Sequence, residues 1–179
     1  AGEKAINSEQ KYGILEKKLL HVCDKIGGNF VNEPVADILA DLTHTEEEIH
    51  FVSSVSVKQW KSKEWYKQKS GFITGSIAQQ SVNMQNSLGK GLKSKVSSLV
   101  DKITNQQAHS SKLTVSENPQ NPREWGLKHE ESVRLSYYKV ECKKHHKLSL
   151  IAKGFLPSRK KPFVGASVDN IQTCSCEDN

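Results

Sequence analysis

Cysteine is scarce in this 179-residue chain: four residues, at positions 23, 142, 174 and 176, are too few and too scattered for a disulfide framework. Long apolar runs are missing too. No stretch approaches the roughly 18 residues of a membrane span, and Ala1-Gly2-Glu3-Lys4 lacks the apolar region of a secretory signal. No Gly-x-Ser-x-Gly elbow supports a Ser/His/Asp triad. The simplest expectation is an intracellular, reducing compartment, nuclear or cytoplasmic, with no membrane partner. The chain begins without methionine and ends abruptly at Cys174-Ser175-Cys176-Glu177-Asp178-Asn179, so it reads as an excised piece of something longer.

What is present suffices for a folded domain. Hydrophobic residues make up 35% of the chain and include Trp60, Trp65 and Trp125, enough for one core of ordinary size plus a helical arm. A disordered chain would have fewer apolar residues and no periodicity. The net charge of +6 is modest but unevenly spread. Between Lys139 and Lys161, eight Lys or Arg meet a single acid, Glu141, with His145 and His146 among them. Such a stripe favours a polyanionic partner; a basic solvated face is the plainer explanation.

Tyr12, Leu15, Leu19 and Val22 recur at helical spacing within 6–26, and Gly27-Gly28 ends the pattern. Val35, Ile38, Leu39 and Leu42 predict a second short helix, and Thr45 with Glu48 a capping box for a third. Residues 1–55 thus read as a helical arm without assigned chemistry. Further on, a helix should start near Gly75-Ser76, another should run through Val96, Leu99, Val100 and Ile103, and 105–122 should be loop. A helix from Pro122 or Arg123 through Tyr137 or Tyr138 comes next. Strands follow at 148–155, 163–168 and 171–174, with a turn at 157–162. Helices followed by strands predict an α+β or α/β domain over 56–179, its sheet incomplete within this chain.

Three places could carry chemistry. Asp169, at the end of the apolar strand Gly165-Ala166-Ser167-Val168, would present a rigid carboxylate to a hard divalent cation; the plainer reading is a turn. Glu130, on the helix after Trp125-Gly126, could share that cation or be a solvated face. If a turn at Gly71 puts Ser76 at a helix N-terminus, its hydroxyl and nearby N–H groups form an anion site. Lys69 could add a point charge there, the alternative being a cap and a surface lysine. Cys174-x-Cys176, with His145 and His146 upstream, invites zinc, but the spacing is wrong for the common two-residue knuckle, and a pair completed by later cysteines stays open.

In this order, the pieces resemble the YqaJ-type viral recombinases, lambda-exonuclease-like nucleases of the PD-(D/E)xK superfamily. Trp65-Tyr66-Lys67-Gln68-Lys69-Ser70-Gly71-Phe72-Ile73-Thr74-Gly75-Ser76 resembles the family's tryptophan, its arginine four positions on, and its Ile-Thr-Ala-Ser signature. Trp125-Gly126-Leu127-Lys128-His129-Glu130, followed by Tyr137, resembles its Gly-x-x-x-Glu helix, and Gly165-Ala166-Ser167-Val168-Asp169-Asn170 its Gly-Ala-Ser-Pro-Asp-Gly strand end. The resemblance covers about residues 58–179.

It implies a restriction-endonuclease-like core, a mixed central sheet flanked by helices. It also implies that Asp169 and Glu130 hold Mg²⁺ or Mn²⁺ and that Lys69, Thr74 and Ser76 hold a 5′ phosphate. The implied activity is 5′–3′ exonucleolytic cleavage of duplex DNA ends in recombination or in viral and mobile-element DNA processing. Relatives often form ring-shaped homo-oligomers, and a recombination partner protein is expected. Lys69 departs from the family arginine and weakens a bidentate grip; Gly75, Val168 and Asn170 replace alanine, proline and glycine. The acid-x-lysine element should follow on the next strand, and Glu177 has no lysine two places on, so the 179-residue chain alone is expected to be inactive or severely impaired. The alternatives are a catalytically degenerate module that binds DNA ends, and a helical interaction protein.

Overall fold

The computed structural model describes residues 11–28, 34–91, 96–105 and 122–176. Among them are seven α-helices: α1 (Ile14–Lys25), α2 (Val35–Asp41), α3 (Glu46–Val55), α4 (Lys63–Lys69), α5 (Gly75–Gly89), α6 (Val96–Thr104) and α7 (Pro122–Glu141). A 3-10 turn (Gln59–Lys61) precedes α4, and four short strands follow α7: β1 (Ser149–Ala152), β2 (Phe155–Pro157), β3 (Gly165–Ser167) and β4 (Asn170–Thr173). The start of the helix expected from residue 6, nearly all of the 105–122 loop, and Glu177 lie outside the described residues. The molecule is mixed α and β. No helix among the described residues is long and apolar enough to cross a membrane.

The chain forms two compact units, Ala1–Ser110 with Lys153–Val168, and Ser111–Ala152 with Asp169–Asn179. In the first unit, helical periodicity determines what is buried. Leu15 and Val22, seven residues apart on α1, are buried with Leu42, Val52, Phe72 and Phe155 in one cluster. The 1–55 segment therefore shares a core with residues that follow it. Phe72 and Phe155 meet edge to face at 4.9 Å, and burying each aromatic side chain stabilises the unit by about 2–3 kcal/mol. The expected capping box is present, with Thr45 Oγ1 accepting from Glu48 N–H and Thr45 N–H donating to Glu48 at 2.8 Å. Gly71, at φ +86°, donates its N–H to the Ile103 carbonyl at 2.9 Å in a conformation only glycine adopts cheaply. That turn ends α4 and redirects the chain through Phe72 into α5.

β2 pairs antiparallel with β3, Phe155 opposite Ser167 and Pro157 opposite Gly165. The turn between them is pinned to the helices: Pro162 accepts a hydrogen bond from His44 Nε2–H at 3.0 Å, and Arg159 pairs with Glu46. In the second unit, β1 pairs antiparallel with β4, Leu150 opposite Gln172 and Ser149 opposite Thr173.

Two expectations change here. The strand expected over 148–155 is broken between Ala152 and Phe155, because Gly154 leaves the ladder to donate its N–H to the Ser53 carbonyl on α3 at 3.1 Å. A Cβ at position 154 would stand 2.6 Å from that carbonyl oxygen, so the approach needs glycine. As a result, the described strands form two separate two-stranded antiparallel sheets in place of one central mixed sheet. Outside these strands, an isolated parallel bridge joins Ile73 and Val164.

Candidate functional site

The second unit holds a groove of about 410 Å³ lined by Glu130, Val133, Arg134, Tyr137, Leu150, Asp169, Asn170 and Gln172. Its geometry follows from two periodicities. Glu130, Val133, Arg134 and Tyr137 stand at i, i+3, i+4 and i+7 on α7, one stripe of a helix. Leu150 and Gln172 are directly opposed in the β1–β4 ladder, on one face of a sheet. A hydrogen bond from the Tyr137 hydroxyl to Gln172 Oε1 joins the two walls. The two acids singled out in the sequence thus line the same groove, Glu130 from the helix and Asp169 from just before β4.

Asn170 adds something the sequence motif did not indicate. Its Oδ1 atom is buried and has no hydrogen-bond partner, and an orphaned buried acceptor costs about 1–3 kcal/mol unless something donates to it or coordinates it. Two carboxylates and an amide carbonyl are hard oxygen donors. Arg134 brings a guanidinium to the groove, held by Glu131 through Nε–H at 2.8 Å and by a second short contact. Tyr137 already stands in the motif, and helical spacing from Glu130 also points to Arg134; nothing local flags the burial of the Asn170 oxygen.

Lys69, Thr74 and Ser76 belong to the first unit. Trp65 donates its indole N–H to Ser167 Oγ at 2.8 Å, which fixes the ring on β3. Lys69 Nζ lies 4.4 Å over that ring. Burial holds this ammonium below the ordinary lysine range. Thr74, buried, is the N-cap of α5, and its side chain makes no cap bond to the helix N–H groups. It instead shares a hydrogen bond of 3.1 Å with the exposed Ser76 hydroxyl. The helix start after Gly71 is therefore where the sequence put it. It carries two hydroxyls and the positive end of a 15-residue helix, a combination that suits a phosphate oxygen.

Compared with known families, residues 64–179, about two thirds of the chain, match the model described as the YqaJ-like viral recombinase domain. No curated protein and no solved structure matches the chain.

Proposed function

The chain belongs to the YqaJ-like viral recombinase domain family, and from that premise we propose that it is a metal-dependent DNA nuclease domain, a 5′–3′ exonuclease of the PD-(D/E)xK kind acting on duplex ends during recombination. The observation that carries this reading is the groove shared by Glu130 and Asp169. Its donor set fits Mg²⁺ or Mn²⁺, since both prefer oxygen ligands, and Asn170, which lines the same groove and whose Oδ1 has no hydrogen-bond partner, would offer a third oxygen. Such a cation, when bound, would polarise a phosphodiester oxygen and lower the pKa of a water.

The protein's own groups would do the rest. Asp169 and Glu130 hold the cation, and Glu130 also orients the attacking water by accepting its hydrogen bond. Arg134 offers donors to a phosphate of the same strand. At the start of α5, Thr74 and Ser76 donate to the terminal 5′ phosphate while Lys69 contributes charge. DNA is the polyanion expected on the basic stretch, with a homo-oligomer and a recombination protein as further partners.

Mn²⁺ titration followed by the loss of its free-ion paramagnetic resonance tests the groove directly. Asp169→Asn should weaken binding at least about tenfold, the cost of one charged ligand exceeding about 1.4 kcal/mol; equal affinity in the two proteins rejects the site. A second reading, DNA-end binding without cleavage, is favoured by one feature: the groove has no lysine among the described residues that line it. Digestion of a 5′-phosphorylated duplex in Mn²⁺ separates the two, because only the nuclease releases nucleotides.

A further inference from the structure

A second cluster of metal-ligating side chains lies in the same unit, built from softer donors. The chain leaves α7 through a turn in which His145 N–H bonds the Glu141 carbonyl at 3.1 Å, and Lys147 then takes a left-handed conformation, φ +51°, before β1. On the other side of the ladder, β4 ends at Thr173, paired with Ser149. The register therefore brings the turn before β1 beside the turn after β4. His145, Cys174 and Cys176 meet there, each offering one ligand atom, all within 4.8 Å of one another.

Three observations mark this cluster as a prepared site. His145 Nδ1 is buried without a hydrogen-bond partner, while Nε2 faces the Glu141 carboxylate at 3.5 Å. That is the arrangement of a metal-bound histidine, one nitrogen free to coordinate and the other oriented by a carboxylate. The backbone N–H of His146 donates to Cys176 Sγ at 2.9 Å, which fixes the sulfur beside the turn that carries His145. Ser175 ties the same two turns together, its N–H donating to the His146 carbonyl at 2.9 Å and its hydroxyl meeting His146 Nδ1 at 2.7 Å.

We propose that His145, Cys174 and Cys176 bind a zinc ion that staples the end of α7 to the end of β4. Tetrahedral zinc holds sulfur and nitrogen donors at about 2.3 and 2.0–2.1 Å, hence about 3.5–3.8 Å apart. A side-chain adjustment of about 1 Å closes this cluster to that geometry. The fourth position is left to water or a further donor. Thiolate and imidazole select zinc over Mg²⁺, so this site is chemically distinct from the oxygen-lined groove. The unit also needs a staple. Leu148 is its only buried residue among those described, and Val133, Leu135 and Val140 of α7 are exposed. A unit with so little core gains most from a metal.

Cobalt(II) tests the assignment on the whole chain, because thiolate coordination produces a charge-transfer absorption in the near ultraviolet that oxygen ligands do not. The wild-type chain should develop this band to saturation at one equivalent and lose it when Zn²⁺ is added. Cys174→Ser with Cys176→Ser should abolish it, and Cys23→Ser should leave it unchanged. Glu141→Gln should weaken cobalt binding about tenfold to a hundredfold. His145→Cys, which keeps three donors, should retain the band with greater intensity, and this variant remains informative if the serine variant fails to fold. No charge-transfer band in the wild type, or one undiminished in the serine variant, overturns the proposal. So does a wild-type chain without bound metal in which peptide mapping finds Cys174 joined to Cys176 in a disulfide.

Discussion

His44 shows how one buried side chain couples stability to pH. Its Nε2–H is spent on the Pro162 carbonyl, its Nδ1 is buried without a partner, and its ring lies 5.5 Å from that of Phe72. Burial, reinforced by Lys18, pushes its pKa below the ordinary histidine value despite opposing effects from the Pro162 bond and Glu48. The unfolded chain, with an ordinary histidine near pKa 6.5, takes up a proton that the native state resists. Stability contributed by neutral His44 is therefore complete above about pH 6.5 and falls as pH drops toward the depressed native value, at no more than about 1.4 kcal/mol per pH unit for one proton. Urea denaturation at pH 7.5, 6.5 and 5.5 should give a shallower acid decline for His44→Gln than for the wild type. Parallel declines would show that His44 contributes nothing to it.

At the scale of elements, the start of α5 is the feature most open to test. Thr74 and Ser76 leave the helix N–H groups uncapped by side chains, and Lys69 is seated on Trp65 rather than free in solvent. Ser76→Ala and Lys69→Ala should each weaken binding of a 5′-phosphorylated duplex by about threefold to tenfold, the loss of one charge-assisted hydrogen bond or one partly screened charge. Binding of the same duplex with a 5′ hydroxyl should change little. Equal losses on both duplexes would assign these residues to general backbone contact.

Elements fixed by neighbours in sequence were readable in advance. Leu15 and Val22 gave α1, Gly27-Gly28 its end, Thr45 with Glu48 the cap of α3, and Gly71 the turn before α5. The break at Gly154 was not, because it depends on the Ser53 carbonyl of a helix far away in sequence. The site divides the same way. Glu130 and Asp169 stand in recognisable motifs, and Arg134 and Tyr137 follow Glu130 at helical spacing. The seat of Lys69 on Trp65 follows from their i, i+4 spacing on α4, whereas the orphaned oxygen of Asn170 is a product of burial and has no local signature. The pairing of His145 with Cys174 and Cys176 is set by the β1–β4 register, which no ligand-spacing rule contains.

For the molecule as a whole, connectivity matters most. Neither compact unit is a continuous piece of chain: residues 153–168 belong to the first and are flanked on both sides by segments of the second. Each sheet pairs a strand before the 158–162 turn with one after it, β1 with β4 and β2 with β3. Arg159 and Lys160 are exposed on that turn and are natural sites for trypsin. One cut there leaves a large fragment ending in β2 and a short one beginning before β3, sharing both ladders without a covalent link. The nicked protein should elute as a single species on gel filtration and come apart only in denaturant; two native peaks would contradict it. In the 179-residue chain the short fragment is a peptide of about 20 residues carrying Asp169, so separating it in denaturant and refolding the large fragment with a synthetic copy bearing asparagine at that position would alter the groove without touching the rest of the chain.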